Sequence, residues 1–357
     1  MTFPSKARPS PRIASLFPEP PIPKLAASAK GIVLAAALFA FVPQARAIVV
    51  NSSYTLTEAA ALAADVTGYP AFGATGLVQI QEGASSYLGT GTLVAPDWVL
   101  TAAHNWNAAA VTALSFRIGG TTYAAQTGQW FQNPQWISDP NVSLTQGADI
   151  ALFHLDRPVT GITPAPLYTG SLELGTGVAV IGAGLAGTSA IGPRPNPSAT
   201  LYAIRNTIDR VITETPGNGG LLACDFDDGT ATHNSLSGSA VYDTLGTSTT
   251  TVPGGSISFL SSTTFVMTLE GTTASGDSGG PAFADFGNGL QLVGVASWGV
   301  NPTGSLYGSG LGDITYFTRV SAFNDWITAT VPEPSSALLL LASVIVLFGT
   351  KRAGQRT

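Results

Sequence analysis

The chain has 357 residues, one cysteine, three histidines and a formal net charge of −6. That charge is unevenly spread: residues 48–331 hold six Arg, no Lys and 19 Asp or Glu, a net charge near −13 for this stretch. Such a surface repels polyanions and excludes nucleic acid as a partner. The single cysteine, Cys224, excludes an intramolecular disulfide, and His104, His154 and His233 show no zinc-ligand spacing, so neither metal nor cofactor is expected.

In chain order, residues 1–30 are rich in Pro and Ser with scattered Lys and Arg, and lead into an apolar run from Gly31 to Val42. Pro43 closes the run and Ala45-Arg46-Ala47 follows. A basic stretch, a short apolar run and an Ala-x-Ala site form a secretory signal pattern, which sets 1–47 apart and implies export. The next element is a helix over Leu56–Val66, rich in Ala and free of Gly and Pro, capped by Thr55 or Thr57. After Pro70 the texture changes to short runs of Val, Ile, Thr and aromatics broken by Gly, Pro, Asn and Asp. They are Leu77–Gln81, Thr90–Val94, Trp98–Thr101, Leu114–Ile118, Val178–Ile181, Phe265–Leu269, Leu292–Trp298 and Ile314–Val320. Many short strands with regular punctuation predict an all-β sandwich or barrel. Residues 186–262, thick with Gly, Pro, Ser and Thr, read as a loop-rich insertion. A last helix is expected over Ser321–Ala329, with Ser321 as cap and Phe323, Trp326 and Ile327 on one face.

Two local patterns invite other chemistry. Gly182-Ala183-Gly184-Leu185-Ala186-Gly187 is a literal G-x-G-x-x-G after a strand-like run. The Gly192-Pro193-Arg194-Pro195-Asn196-Pro197 that follows excludes the helix whose N-terminus would hold a pyrophosphate. Asp225-Phe226-Asp227-Asp228-Gly229 has the look of a calcium loop, but Thr230 and Leu236 stand where an EF-hand needs Gly and Glu. A solvated acidic loop is the expectation there.

The chain ends in Val331-Pro332-Glu333-Pro334, an apolar run from Ala337 to Phe348, then Lys351, Arg352 and Arg356. The run is marginal against the roughly 20 apolar residues a spanning helix needs. The Pro-Glu-Pro, apolar and basic order resembles the PEP-CTERM sorting tail of Gram-negative bacteria. That resemblance implies an exosortase-type partner, membrane contact through 331–357, and delivery across the inner membrane to the envelope or beyond. A plain C-terminal membrane anchor is the alternative.

Three strings carry the chemistry: Thr101-Ala102-Ala103-His104, Ala148-Asp149-Ile150-Ala151-Leu152 and Gly276-Asp277-Ser278-Gly279-Gly280-Pro281. A serine hydroxyl is a weak nucleophile unless a base takes its proton, and histidine suits that role near neutral pH. An aspartate at the start of an alternating strand can orient such a histidine, and a Gly-flanked turn lets successive N–H groups point to one spot. With their flanks, and in the order His, Asp, Ser, these strings resemble the trypsin/chymotrypsin-like serine proteases.

The resemblance implies two packed antiparallel β-barrels within 48–330 and a short C-terminal helix. It assigns His104, Asp149 and Ser278 as the catalytic residues and the N–H groups of Gly276 and Ser278 as the oxyanion hole. Ser297-Trp298-Gly299 would pair with an extended peptide substrate, and Ser297 would support Asp149. Thr272 falls at the base of the specificity pocket and Thr315 on its wall, which implies a neutral pocket and no preference for basic side chains. The cysteine pair that flanks the histidine in animal relatives is replaced by Gly89 and Asn105, and Ala274 replaces the cysteine before the nucleophile turn. Cleavage after Ala47 would expose Ile48, which could insert beside Asp277 as the new N-terminus does in zymogen relatives; whether it is needed stays open. The function implied is an exported serine endopeptidase. A silent binding module on the same fold and an esterase-like acyl hydrolase remain as alternatives.

Overall fold

The computed structural model describes residues 48–138, 144, 146–212, 220–230, 232–236, 269–302 and 309–332. The chain enters as a buried two-residue strand, β1 (Val49–Val50), and then forms helix α1 (Leu56–Ala64). Thr55 is the cap, in a reciprocal capping box with Glu58, so the helix starts where the sequence signals it.

The first barrel closes from six antiparallel strands: β2 (Thr75–Glu82), β3 (Ser85–Ala95), β4 (Trp98–Thr101), β5 (Val111–Ile118), β6 (Thr121–Gln132) and β7 (Ala151–Leu155), in the order β2-β3-β4-β7-β6-β5. On β5, Leu114, Phe116 and Ile118 are buried at alternate positions, which is the period a strand needs to line a core. The β5–β6 hairpin turns at Gly119-Gly120, both with positive φ (+55° and +79°), the backbone that a two-residue hairpin favours.

Among the described residues ten further strands follow: β8 (Gly177–Gly182), β9 (Ala186–Thr188), β10 (Gly192–Arg194), β11 (Tyr202–Thr207), β12 (Arg210–Ile212), β13 (Leu221–Asp225), β14 (Gly271–Thr272), β15 (Pro281–Asp285), β16 (Leu290–Val300) and β17 (Ile314–Arg319). Seven of them form one antiparallel sheet, β11-β8-β15-β16-β17-β13-β12, around a core that includes Val180, Ile204, Leu222, Val293 and Phe317. A small sheet, β10-β9-β1-β14, takes up the entering strand.

The fold is the chymotrypsin-like one expected, two packed β-barrels that differ in how far they close. Among the described residues the first barrel closes and the second is a curled half-barrel. The outer edge of β11 is occupied by the segment before β14: Arg205 N–H donates to Leu269 O at 2.9 Å and Arg205 bridges Glu270, so that edge is not offered to β12. In place of a ladder, the Asn206 amide donates to Asp225 O (2.8 Å) and Gly271 O (2.9 Å).

Other expectations shift as well. The stretch 186–262, read as loop-rich, carries β9 to β13, while 237–262 lies outside the described residues, as does 265–268 of the strand expected over Phe265–Leu269. The G-x-G-x-x-G run leads into the β9–β10 hairpin, with no helix. The acidic loop is not solvated: Asp225 and Asp227 are buried, their carboxylates accepting the N–H groups of Leu236 and Gly229 at 2.9 Å each. Among the described residues, no cluster of three or more His, Cys, Asp or Glu side chains is placed to hold a metal ion. No described helix is long and apolar enough to cross a membrane; the apolar run 337–348 and residues 1–47 lie outside the described residues.

At the C-terminus the expected helix begins later. A 3-10 turn spans Val320–Phe323, and α3 covers Asn324–Thr330, after α2 (Pro134–Ser138) in the first half. Ser321 does not cap it, because its hydroxyl donates to Glu173 Oε1 at 2.8 Å. Glu173 is fully buried and also takes the Arg319 guanidinium through both oxygens, at 2.8 and 2.9 Å. This fork ties the inter-barrel linker to the end of β17. Removing one partner of a buried pair strands the other charge. Glu173→Ala is therefore expected to lower stability by about 3 kcal/mol or more, measured as a fall in the urea unfolding midpoint at unchanged slope.

Candidate active site

Three turns bring the predicted residues together. His104 lies in a 3-10 turn (Ala103–Asn105) directly after β4, Asp149 just before β7, and Ser278 in the turn that enters β15. His104 Nδ1 is 2.6 Å from Asp149 Oδ2, and His104 Nε2 is 2.7 Å from Ser278 Oγ. A carboxylate only accepts, so Nδ1 carries the proton and Nε2 is left as acceptor for the Ser278 hydroxyl.

Asp149 is fully buried, which by itself disfavours its charge. Its carboxylate also accepts the His104 N–H at 2.8 Å and the Ser297 hydroxyl, and its carbonyl accepts Thr318 Oγ1 at 2.9 Å. Burial opposes ionisation, but His104 and these donors outweigh it, and the carboxyl is held below its ordinary pKa. For His104, burial opposes the charged ring while Asp149 favours it more strongly, so the imidazole sits above its ordinary pKa. A base of this kind can take a hydroxyl proton and hold it as an ion pair with Asp149.

The turn Gly276–Gly280 is shaped by its glycines. Gly276 has φ +98°, and a Cβ on Gly279 (φ +84°) would lie 2.0 Å from Thr101 Oγ1. Among the described residues, no acceptor takes the N–H of Gly276 or of Ser278. Asp277 points the other way, fully buried, where it accepts Ala274 N–H at 2.8 Å, Gly184 N–H at 2.9 Å and the N–H of Ile48. Burial pushes its carboxyl up to about 7, against the pull of those bonds. The first glycine of the G-x-G-x-x-G run is explained here: a Cβ on Gly182 would lie 2.0 Å from Asp277 Oδ1.

Beside Ser278 is a cavity of about 160 Å³ walled by Thr272–Ser275, Ser297–Val300 and Asp313–Thr315. Thr272 and Thr315 are both buried in it, with their hydroxyls 2.8 Å apart, and Thr273 Oγ1 is 3.0 Å from Thr315 Oγ1. Trp298 stacks on Tyr316 at 4.1 Å and donates Nε1–H to Leu144 O at 3.2 Å. Along β16, Gly299 pairs with Thr315 of β17, whereas β15 pairs only as far as Val295.

A family model described as trypsin matches residues 66–246 and 247–327. The chain belongs to the trypsin family. Among solved structures it is similar to that of HL collagenase, with 18% identity over 73% of this chain and 94% of that one, at a TM-score of 0.46. This is a family of serine peptidases, and the predicted triad residues stand together in this member.

Several site residues carried no signal in the sequence. Asp313 lines the cavity, its Oδ2 accepting Gly310 N–H at 2.8 Å. The Gln132 amide holds the histidine turn through Ala103 O (2.7 Å) and Trp106 O (2.8 Å), and Trp136 packs 6.5 Å from the His104 ring. Each acts by three-dimensional placement, and no spacing rule points to them. Elsewhere, His154 pairs with Asp97 (3.1 Å) and His233 with Asp228 (2.9 Å), while Cys224 is buried and free.

The electrostatic argument has a direct test. In Asp149→Asn the charge that raises the His104 pKa is gone and burial remains. The His104 midpoint, followed by NMR titration of its ring protons, should move down. Such a swap also costs about 10⁴-fold in kcat where this constellation is catalytic.

Proposed function

We propose that the chain is an exported serine endopeptidase in which Ser278 is the nucleophile and His104 the general base and then acid. The observation that carries this reading is the unbroken line from Asp149 through His104 to Ser278, at 2.6 and 2.7 Å. As Ser278 Oγ attacks a peptide carbonyl, its proton passes to His104 Nε2, and Asp149 stabilises the imidazolium. The oxyanion takes the N–H groups of Gly276 and Ser278, each such donor being worth about 3 kcal/mol. His104 then gives its proton to the leaving amine as the C–N bond breaks. Water, deprotonated by the same Nε2, hydrolyses the acyl-enzyme and restores Ser278. No step calls for a cofactor.

The substrate backbone would add as a strand along Ser297-Trp298-Gly299. The three threonine hydroxyls at the base and wall of the pocket favour a small, uncharged side chain before the scissile bond. The leader and tail patterns of the sequence support a location outside the inner membrane, with an exosortase-type enzyme as partner for 331–357. A fluorophosphonate probe should label residues 48–331 stoichiometrically, and Ser278→Ala should abolish labelling; an unlabelled native protein would favour a silent binding module. A peptide library should show cleavage after small, uncharged residues, and dominant cleavage after Arg would point instead to Asp313 as the pocket determinant.

We further propose that the mature chain starts at Ile48, one residue past the Ala-x-Ala site. Ile48 is fully buried and its N–H already faces Asp277. With Ala47 retained, Asp277 has only amide donors among the described residues and a carboxyl at about 7. A raised carboxyl pKa means stability present at low pH and lost as pH rises through that value. A free Ile48 ammonium would remove the loss by pairing with the carboxylate. The ratio of probe-labelling rates, Ile48-start protein over Ala47-extended protein, should therefore climb as pH passes about 7. Equal rates at every pH, or an active form sequenced from another residue, would rule this out.

A further inference from the structure

Asn105, immediately after His104, is half-buried, and its amide uses two donors on two different partners. Nδ2 is 2.8 Å from Thr101 Oγ1 and 3.1 Å from the carbonyl oxygen of Ser278. Thr101 Oγ1 donates onward to Thr90 O at 2.7 Å, and Thr90 N–H donates to the same Ser278 carbonyl at 2.9 Å. Asn105, Thr101, Thr90 and Ser278 thus form a closed hydrogen-bonded ring, in which Thr90 and Thr101 are buried.

The surroundings are cut to fit this amide. Gly89, on β3, faces it: a Cβ there would lie 2.8 Å from Asn105 Nδ2 and 3.0 Å from its Cγ. Gly279 closes the other side, where a Cβ would meet Thr101 Oγ1 at 2.0 Å and Thr90 O at 2.2 Å. The side chain of Thr90 extends the same contact, donating to Gly276 O and accepting from Ala183 N–H, both at 3.3 Å. Two donors, from Asn105 and from Thr90, therefore converge on one carbonyl, that of the residue whose hydroxyl faces His104. A carbonyl held from two directions fixes the peptide plane after Ser278 and limits how its Cα–Cβ bond can swing.

We infer that Asn105 is a positioning residue for the nucleophile: its amide clamps the Ser278 carbonyl to the first barrel and so aims Oγ at His104 Nε2. The inference rests on the reading of Ser278 as nucleophile. It concerns placement, so removing the clamp should lower reactivity without changing substrate affinity or the protonation behaviour of His104. A misplacement near 1 Å can cost about 10²-fold in rate.

The test uses the 48–331 protein, a fluorophosphonate probe and a peptide substrate. Asn105→Ala should lower kcat and the probe-labelling rate together, about 10- to 100-fold, with KM within twofold and the acid limb of the pH–rate profile unmoved. Asn105→Asp, which keeps the shape but removes the donor, should be no better. Gly89→Ala, which crowds the amide while leaving Asn105 in place, should reproduce the loss, and the Gly89→Ala/Asn105→Ala double variant should be no slower than Asn105→Ala alone. Full labelling rate in a folded Asn105→Ala protein, a loss confined to KM, or additive losses in the double variant would overturn the inference. If Asn105→Ala does not fold, Gly89→Ala and Asn105→Asp give the same decision. Failure of the native protein to label would count against Ser278 as nucleophile, a result distinct from a labelled native protein with an equally fast variant.

Discussion

A fully buried carboxylate at the seam between the two halves, Asp149, is the constraint around which the site is arranged. Placing a charge in an apolar interior is unfavourable by several kcal/mol unless donors surround it. Here the donors come from opposite sides: the N–H and ring of His104 from the first barrel, and the Ser297 hydroxyl from β16 of the second sheet. The carboxylate is therefore satisfied only when both halves are in register. The same requirement leaves one tautomer of His104 favoured, with Nε2 free to accept from Ser278. Tertiary assembly and the protonation state of His104 are set by one buried group.

A second buried carboxylate, Asp277, sits one residue before Ser278 and pulls the opposite way. It draws the Gly276–Gly280 turn down onto Ile48 and Gly184, with no cation among the described residues beside it. The glycine at 182 exists because this carboxylate needs the space a Cβ would fill. What reads in one dimension as a dinucleotide fingerprint is, in three, the clearance for an acidic side chain. The turn is thus held at both faces, by Asp277 below and by the Ser278 carbonyl above.

The parts legible in the sequence were those whose chemistry demands residue types in a short string. His104, Asp149 and Ser278 stood out because each sits beside a strand with a recognisable flank, and α1 because an Ala-rich run free of Gly and Pro follows a threonine cap. Long-range choices of polar side chains were not legible. Asn206 bonds carbonyls 19 and 65 residues away, which replaces the ladder that would have closed the second barrel. Ser321 looked like a helix cap, yet its hydroxyl serves Glu173, 148 residues distant. Asp225 and Asp227 looked solvated because composition alone cannot show that backbone N–H groups await them.

The absence of disulfides gains meaning in this setting. With one cysteine, nothing covalent can join the histidine segment to the strand opposite it or to the turn that carries Ser278. The contacts that do so are hydrogen bonds: Thr90 to Ser278 and Gly276, Ala183 to Thr90, Asn105 to Ser278, Ser297 to Asp149. Such bonds are individually worth only about 1 kcal/mol each, and less if either partner moves. Their geometry is also the geometry of the site, since nearly every one ends on a residue of the triad or the turn around it. Any opening that parts the two halves must therefore disturb Ser278 and His104 together, so integrity of the fold at this seam and reactivity of the serine are coupled by construction.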